Sequence, residues 1–158
     1  MRAGIGQDSH RFADESGGCL LAGVLFEDAP SVRANSDGDV VLHALCNAVS
    51  GITGQNVLGA RADALCRAGI TDSTAYVREA LADLKAMGYR PENLSVSIEC
   101  ARPKITPKIP AMRRNLAALL ELQEQDIGIT ATTGEGLTDF GRGLGIQVFC
   151  ILTAEKLL

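Results

Sequence analysis

With 158 residues, the chain is long enough to form one domain with a sizeable hydrophobic core. Apolar residues make up 46% of it and charged residues 22%, a balance typical of soluble globular proteins and not of disordered ones. The formal net charge of −4 and the aromatic content of 4%, with no tryptophan, argue against a nucleic-acid-binding surface, which is normally basic and often uses stacking aromatics.

The cysteines give little support to a disulfide framework or to a cysteine-based zinc site. They stand at positions 19, 46, 66, 100 and 150, an odd number with wide spacing and no Cys-x-x-Cys pair. The amino-terminal residues lack the basic start and apolar run of a signal peptide. Because the longest apolar run, near Val148–Leu152, is also far too short for a membrane span, we expect a cytoplasmic protein with no membrane partner.

The first third of the chain predicts two strands and a helix. Met1–Gly6 and Leu20–Phe26 are expected to be strands, separated by a polar turn around Glu15–Gly18. Asp39 follows a sharp Asp-Gly turn and begins an apolar-faced segment, so a helix is predicted from there to a stop at Gly51.

The rest of the chain adds two helices and three strands. Residues 52–70 contain three glycines and no clean period, and are predicted to be mostly loop. A capping-type run at Thr71–Ser73 predicts a helix that ends near Gly88. The alternation from Leu94 to Ile98 predicts a half-buried strand. Further predicted elements are a helix through 112–120 and strands at Ile127–Ala131 and Ile146–Leu152, with a glycine-rich loop between these strands.

The order of these elements, β-β-α-α-β-α-β, favours the α+β class. We predict a single domain over residues 1–158 with a mixed or mainly antiparallel sheet and helices packed on one face.

The two histidines of the chain are each part of a run suited to metal binding. Asp8 and His10 lie two residues apart at the end of the first predicted strand, so their side chains leave the same face. His43 would complete the three-ligand set that a catalytic zinc site uses. Asp39, four residues before His43, either orients the imidazole or acts only as a carboxylate at the helix start.

A second candidate group follows the strand predicted at 127–131. Thr132 and Thr133 offer hydroxyls, the adjacent glycines offer backbone amides, and Glu135 offers a carboxylate for Mg²⁺. From composition alone, an ordinary loop is the favoured interpretation. The glycines around Arg142 do not have dinucleotide-binding spacing and lead into a strand.

These runs, taken in order, resemble the 2-C-methyl-D-erythritol 2,4-cyclodiphosphate synthase family of non-mevalonate isoprenoid biosynthesis. The resemblance extends over nearly the whole chain and depends on the shared order and spacing of short motifs. Its anchors are Arg2–His10, Ser36–Val40 with His43, Asp72-Ser73, Pro103-Lys104, Ile109-Pro110 with Met112-Arg113, Ala131–Thr133, Glu135 and Gly141–Gly143.

The resemblance implies a reaction and two metals. Family members cyclise a cytidine diphosphate derivative of methylerythritol 2-phosphate and release CMP. By analogy, Asp8, His10 and His43 would hold Zn²⁺, and Glu135 would hold Mg²⁺ or Mn²⁺. The family is a homotrimer with sites between subunits, which implies a homotrimer here.

The resemblance also implies substrate contacts. Thr132 and Thr133 would contact phosphate oxygens, Thr133 with a catalytic role, and the segment from Cys100 to Thr106 would receive cytosine and ribose phosphate. The full set of implied substrate-binding residues is Ser36, Asn56, Asp63, Pro103, Lys104, Thr132, Thr133 and Arg142.

Several positions depart from the family pattern. Asn35 stands where the family usually has a histidine, and Asn56 and Leu58 replace the ribose-binding carboxylate and a glycine. Asn56 can still hydrogen-bond a ribose hydroxyl. Of the family motif in the substrate-covering flap, Asp63 is retained; Gly134 replaces a threonine and Asp139 an apolar residue.

Two functional hypotheses follow. The first is a working cyclodiphosphate synthase with a divergent flap, which the retained metal triad and Glu135 favour. The second is a catalytically impaired metal-binding trimer that binds a nucleotide, an isoprenoid or a protein partner, which Asn35 and the altered stretch 56–66 favour.

Overall fold

The computed structural model describes residues 1–157, which form seven strands and four α-helices. The strands are β1 (Arg2–Ser16), β2 (Cys19–Leu21), β3 (Val24–Phe26), β4 (Pro30–Val32), β5 (Tyr89–Glu99), β6 (Ile127–Thr132) and β7 (Gly145–Lys156). The α-helices are α1 (Val40–Thr53), α2 (Ala60–Arg67), α3 (Ser73–Ala86) and α4 (Ile109–Leu120). Short 3-10 helices occupy Thr106–Lys108, Glu124–Asp126 and Gly134–Gly136.

Five strands form one mixed sheet in the order β4-β1-β7-β5-β6. β5 and β6 are parallel and are connected through α4, whereas the other pairs are antiparallel. β2 and β3 form a separate two-stranded hairpin. The predicted α+β class with a mixed sheet is therefore confirmed.

The sheet has one face covered by helices and one open face. Alternate side chains of β7 are buried under the helices, namely Ile146, Val148, Cys150 and Leu152. Phe149 and Ile151 are exposed on the other side of the sheet. This alternation is the period of a strand with one buried face. Within residues 1–157, no helix combines the length and apolar character needed to cross a bilayer.

Two glycines of β1 allow α1 to lie directly on the sheet. A Cβ at Gly4 would stand 2.1 Å from the Ala48 carbonyl oxygen, and one at Gly6 would stand 1.9 Å from that of Ala44. Any side chain at either position would push the helix away. This close approach fixes the distance between α1 and the neighbouring residues of β1, where Asp8 and His10 lie.

The predicted start of α1 is confirmed, but its predicted stop is wrong. Asp39 is the N-cap and accepts a hydrogen bond from the Leu42 amide. The helix passes Gly51 and ends at Thr53, because Gly54 adopts the left-handed conformation that closes the last turn.

The prediction of one strand over Leu20–Phe26 is also wrong. Ala22 and Gly23 both have positive φ and form a turn, so the segment folds back on itself as β2 and β3. In addition, β1 extends well beyond the predicted Gly6 to Ser16, and β4 has no counterpart in the prediction.

The stretch predicted as loop contains α2. Its residues are mostly good helix formers, but they include too few large apolar side chains to show a clear helical period, and tertiary contacts add to the stability of the helix. Arg61 forms ion pairs with Asp83 and Glu79 of α3, and Ala62 is buried beside Val57. The helix is therefore stabilised both by its own residues and by contacts with α3 and Val57.

Candidate active site

The packing of α1 on β1 brings three predicted ligands together. His43 Nδ1 lies 3.1 Å from Asp8 Oδ2 and 3.2 Å from His10 Nε2, and the last two atoms are 3.1 Å apart. Asp8 and His10 alternate with exposed residues along β1 and so face the same side, as predicted. The three atoms form a nearly equilateral triangle.

This triangle fits a small divalent cation. Ligand atoms at about 2.0–2.1 Å from a tetrahedral zinc ion stand about 3.3 Å from one another, close to the separations observed here. Two imidazole nitrogens and one carboxylate oxygen are also the donor set expected of an open zinc site. We therefore take Asp8, His10 and His43 as a metal-binding group.

The pKa of Asp8 reflects two opposing effects. Burial alone raises the pKa of this carboxyl group, but hydrogen bonds from His10 and His43 and the charges of these side chains outweigh it, giving a value of about 2. The cluster thus favours the carboxylate form, which is the form that binds metal.

The other side of the His43 ring has its own partners. Nε2 lies 2.8 Å from Ser73 Oγ and 3.2 Å from Ser36 Oγ. Ser73 also donates to the Asp37 carboxylate, through its hydroxyl and through its backbone amide. Ser73 is fully buried at the first position of α3.

Asp39 does not orient the imidazole of His43, which was the first of its two predicted roles. Its carboxylate accepts hydrogen bonds from the amides of Ala22, Gly23 and Leu42 and has no contact with the His43 ring. It caps α1 and anchors the turn between β2 and β3. The helix-start alternative is therefore correct, and burial raises the pKa of Asp39 despite these hydrogen bonds.

A cavity of about 590 Å³ opens beside the metal-binding group. Among the implied substrate-binding residues, Ser36 and Asp63 line it. Asn56 is exposed just before the buried Val57 and is not part of this lining. The remaining lining residues are Arg33, Ala34, Asn35, Leu58, Gly59, Ala62, Cys66 and Tyr76, together with His10 and His43. A larger groove of about 920 Å³ beside β1 and β4 is lined by Arg102, which belongs to the segment predicted to receive the nucleotide.

The second predicted group lies in an exposed loop. Thr132 ends β6, and its hydroxyl accepts a hydrogen bond from the Gly134 amide. Glu135 is exposed and has a φ of 54°, which directs the chain into a tight turn. Gly134 also has positive φ, a backbone conformation that glycine adopts more readily than the threonine usual in the family.

Arg142 holds this loop together. Its guanidinium donates to the carbonyl oxygens of Gly136 and Leu137 and forms an ion pair of 2.9 Å with Asp139. The side chain is exposed but occupied by contacts within the loop.

Strand register separates this loop from the metal-binding group. Ser9, Gln147, Glu99 and Thr132 are paired in one row across four neighbouring strands. With about 4.8 Å between strands, the ends of that row lie about 14 Å apart. Paired residues share a face, so Thr132 is on the open face, opposite to the face that carries Asp8 and His10.

Pro103 and Lys104 also lie away from the metal-binding cavity. They follow β5, next to the loop that contains Glu135; Pro103 is buried and Lys104 is exposed. The predicted site residues of one chain therefore lie in two separate groups, which we call half-sites. One half is the metal-binding group with Ser36 and Asp63, and the other comprises Pro103, Lys104 and the loop after β6.

Sequence reasoning missed some residues near the metal-binding group. Cys66 and Tyr76 line the cavity, with 2.9 Å between Sγ and the phenolic oxygen, and Ser73 and Asp37 support His43. Asp37 and Ser73 were visible as turn and cap residues, but no spacing rule connects them to a histidine on another helix.

Comparison with known proteins agrees with this geometry. The sequence profile of the YgbB family matches residues 1–155. The 2-C-methyl-D-erythritol 2,4-cyclodiphosphate synthase of Chlamydia muridarum is 52% identical over 158 residues, with 98% of this chain and 88% of the relative covered. The corresponding protein of Chlamydia caviae is also 52% identical, with coverage of 98% and 89%.

Solved structures give the same result for the fold. A 2C-methyl-D-erythritol-2,4-cyclodiphosphate synthase in a CDP-bound form superposes with a TM-score of 0.85 at 30% identity, covering 98% of this chain and all of that chain (100%). The bifunctional IspDF of Campylobacter jejuni gives a TM-score of 0.89 at 30% identity, covering 98% of this chain but 42% of that one.

The fold and the convergent Asp-His-His group are those expected of a metal-dependent enzyme. The profile match extends over nearly the whole length of the chain, and so do the curated relatives. The chain therefore belongs to the YgbB family, and its matched relatives are 2-C-methyl-D-erythritol 2,4-cyclodiphosphate synthases. The family predicted from the motifs is confirmed.

Proposed function

We propose that this chain converts 4-diphosphocytidyl-2-C-methyl-D-erythritol 2-phosphate to 2-C-methyl-D-erythritol 2,4-cyclodiphosphate and CMP in non-mevalonate isoprenoid biosynthesis. The observation that carries the proposal is the metal-binding group of Asp8, His10 and His43 at the wall of a cavity that Ser36 and Asp63 also line. Relatives of about half-identical sequence bear the name of this activity.

The reaction is an intramolecular displacement at phosphorus. An oxygen of the 2-phosphate forms a bond to the β-phosphorus, the bond from that phosphorus to the oxygen bridging it to the α-phosphate breaks, and CMP leaves with that oxygen. No covalent enzyme intermediate is needed, so catalysis depends on positioning and on stabilisation of phosphate charge.

When bound, metal ions at these residues would supply positive charge to the phosphate oxygens and would polarise the group under attack. We assign Asp8, His10 and His43 to Zn²⁺ because their atoms fit its donor set and spacing. We assign Glu135 to Mg²⁺ or Mn²⁺, since such ions take one or two carboxylates and fill their remaining positions with phosphate oxygens and water.

The chain's own residues position the substrate. We place the methylerythritol phosphate in the cavity, near the Ser36 hydroxyl and Asp63. Thr132 and Thr133 would donate hydroxyl hydrogen bonds to the diphosphate, with Thr133 beside the reacting phosphorus. Pro103, Lys104 and Arg142 would serve the nucleotide side, Arg142 through the loop that it holds. Asn56, next to the cavity, would bind a ribose hydroxyl.

We also propose that 1–158 is a single domain that acts as a homotrimer, with each site shared between neighbours. The two half-sites of one chain lie on opposite faces and three strands apart, so one substrate cannot readily bridge them within the chain. The open face of the sheet exposes Ile5, Phe149 and Ile151, with Ile5 and Ile151 paired directly. Packing of these side chains against a second copy would bury apolar surface and bring the half-sites of different chains together. A cytoplasmic location stays a prediction.

Phosphorus NMR tests the activity. Zinc-loaded protein incubated with the cytidine substrate and Mg²⁺ should produce CMP and the cyclic diphosphate over many turnovers. Unchanged substrate, with one zinc per chain verified by metal analysis, would reject the activity and favour the impaired metal-binding trimer.

Subunit complementation tests the shared site separately. His43→Ala and Glu135→Gln each impair one half-site, so each homotrimer should have strongly reduced activity. Mixed trimers should regain activity, because an intact His43 of one chain then meets an intact Glu135 of its neighbour. Absence of recovery in trimers shown to be mixed would mean that each site lies within one chain.

A further inference from the structure

The His43 imidazole is linked to a carboxylate on its far side through one buried hydroxyl. Ser73 Oγ lies 2.8 Å from His43 Nε2 and also contacts Asp37 Oδ1. Ser73 is fully buried and His43 is 8% exposed, so water does not compete effectively for these contacts. The three side chains come from the turn before α1, from α1 itself and from the start of α3.

The direction of each hydrogen bond follows from counting protons. A serine hydroxyl has one proton, and Ser73 donates it to the Asp37 carboxylate. The oxygen of Ser73 must then accept from His43, which requires a proton on Nε2. A neutral imidazole with Nε2 protonated presents a lone pair at Nδ1, the atom that faces Asp8 and His10.

Asp37 is held in place for this role by other donors. Its Oδ2 accepts from the Ser73 backbone amide at 2.9 Å, and its Oδ1 accepts from the Asp39 amide at 3.1 Å. These contacts fix the carboxylate relative to the starts of both α1 and α3. The position of the hydroxyl proton is therefore set by backbone geometry.

We propose that Ser73 and Asp37 are positioning residues that set the tautomer and ring orientation of His43 for metal binding. This inference rests on the proposed metal site and names residues outside its three ligands. Partners of this kind fix the tautomer of a ligating histidine and raise its basicity, and their loss typically weakens metal binding by about 10- to 100-fold.

Ser36 is the competing candidate for this role. Its hydroxyl also lies near His43 Nε2, but at 3.2 Å, and it has no contact with a carboxylate. Ser36 lines the cavity, whereas Ser73 does not. The shorter distance and the connection to Asp37 favour Ser73 as the partner of the ring, and leave Ser36 to face the substrate.

Zinc affinity of the whole protein, measured by competition with a chromogenic chelator, tests the proposal. Ser73→Ala and Asp37→Asn should each weaken Zn²⁺ binding by about 10- to 100-fold. The double variant should lose little more than either single one, since both break the same connection. With Co²⁺ in place of Zn²⁺, the visible absorption bands of both variants should also change in position or intensity.

Two matched variants control for damage at the start of α3. Asp72→Asn removes a negative charge from the same helix terminus, and Thr74→Ala removes a hydroxyl one residue after Ser73. Neither side chain contacts His43, so both variants should bind zinc with the affinity of the parent chain. Equal zinc affinity in parent, Ser73→Ala and Asp37→Asn proteins, all folded, would overturn the proposal.

The parent protein provides a test that needs no substitution. With two histidines in the chain, long-range ¹H–¹⁵N spectra of the zinc-loaded form resolve each ring. His43 should be metal-bound through Nδ1 with a proton on Nε2. Metal binding through His43 Nε2 would contradict the proposed connection even if Ser73→Ala failed to fold. Failure of the parent to bind zinc would instead reject the proposed metal site.

Discussion

The metal-binding group and the loop after β6 hold their functional side chains in different ways. Asp8, His10 and His43 project from β1 and α1, two elements pressed together at Gly4 and Gly6, and His43 is supported from a third element. Glu135, in contrast, lies in an exposed turn that is held mainly by contacts within the loop, including those of Arg142.

This difference separates metal affinity from turnover. The metal-binding group is preformed within one chain, so its geometry should persist without substrate. Under our proposal, the loop meets the metal-binding group of a neighbouring subunit, across the interface between the two chains. Its single carboxylate, that of Glu135, also needs phosphate oxygens to complete the ligand set of the Mg²⁺ or Mn²⁺ ion. Damage to the first region should therefore remove zinc, while damage to the second should slow the reaction with zinc still bound.

Loss of a zinc ligand should have the largest effect. His43→Ala removes one of three ligands, and we expect loss of stoichiometric zinc and a decrease in kcat/KM of at least about 1000-fold, equivalent to about 4 kcal/mol. Metal analysis and phosphorus NMR measure the two effects. Asn47→Ala, one turn further along α1, should retain zinc because Asn47 is not one of the three ligands and its side chain donates to the Gln7 carbonyl of β1. A zinc-loaded, active His43→Ala protein would remove His43 from the site.

Neutralisation of Glu135 should have the next largest effect. Glu135→Gln weakens the proposed Mg²⁺ site, so we expect about a 100-fold decrease in kcat, or about 2.7 kcal/mol, and a higher Mg²⁺ requirement. Zinc content should not change. Glu124→Gln, an exposed change before β6, serves as the control. Loss of zinc from Glu135→Gln would show that the two regions are not independent.

Acid should destabilise the metal-free protein through Asp8. Because the folded pKa of Asp8 is lowered to about 2 from its reference value of 3.8, the carboxylate stabilises the fold above pH 3.8, and this contribution is lost as pH falls through the folded pKa. The loss is about 2 kcal/mol in the free energy of unfolding. Urea unfolding of the chelator-treated protein between pH 5 and about pH 2 measures it.

Asp8→Asn should have a flatter stability profile over the same pH interval. Asp14→Asn, a change on the same strand at a side chain that is 98% exposed, should follow the parent curve. Identical slopes for the parent and Asp8→Asn proteins would mean that the histidines do not hold the Asp8 carboxylate in the absence of metal.

Loosening the loop should have the smallest effect. Arg142→Ala removes the contacts to two carbonyl oxygens and to Asp139, and we expect about a 10-fold decrease in kcat/KM, or about 1.4 kcal/mol, with normal zinc content. Asp139→Ala removes one of these contacts and should cost less, since the hydrogen bonds to Gly136 and Leu137 remain. A larger effect of Asp139→Ala would mean that the ion pair, and not the carbonyl contacts, holds the loop.

Local patterns predicted the parts of the molecule that depend on short spacing. The i, i+2 relation put Asp8 and His10 on one face of a strand, and capping residues located the starts of α1 and α3. Alternation located β5, and strands were also predicted at the positions of β6 and β7, although the full lengths of these strands were not. The α+β class follows from the order of such elements, and the family follows from the order of the motifs.

Contacts between distant segments decided the structural features that no short stretch of the sequence can reveal. α2 consists largely of good helix formers and is also held by Arg61, which meets two acids of α3, but it lacks the apolar period by which a short window reveals a helix. Asp39 lies one helical turn from His43, yet its carboxylate turns to the amides of Ala22 and Gly23. The partner of His43 is Ser73, thirty residues further along the chain.

The sequence by itself thus determined which chemical groups the protein has, because residue types and nearest-neighbour periods are local properties. The tertiary structure decided which of these groups meet, because hydrogen bonds and close packing act between segments far apart in the chain. The tertiary structure also decided the separation of Thr132 from the metal-binding group, because that separation depends on strand order and register.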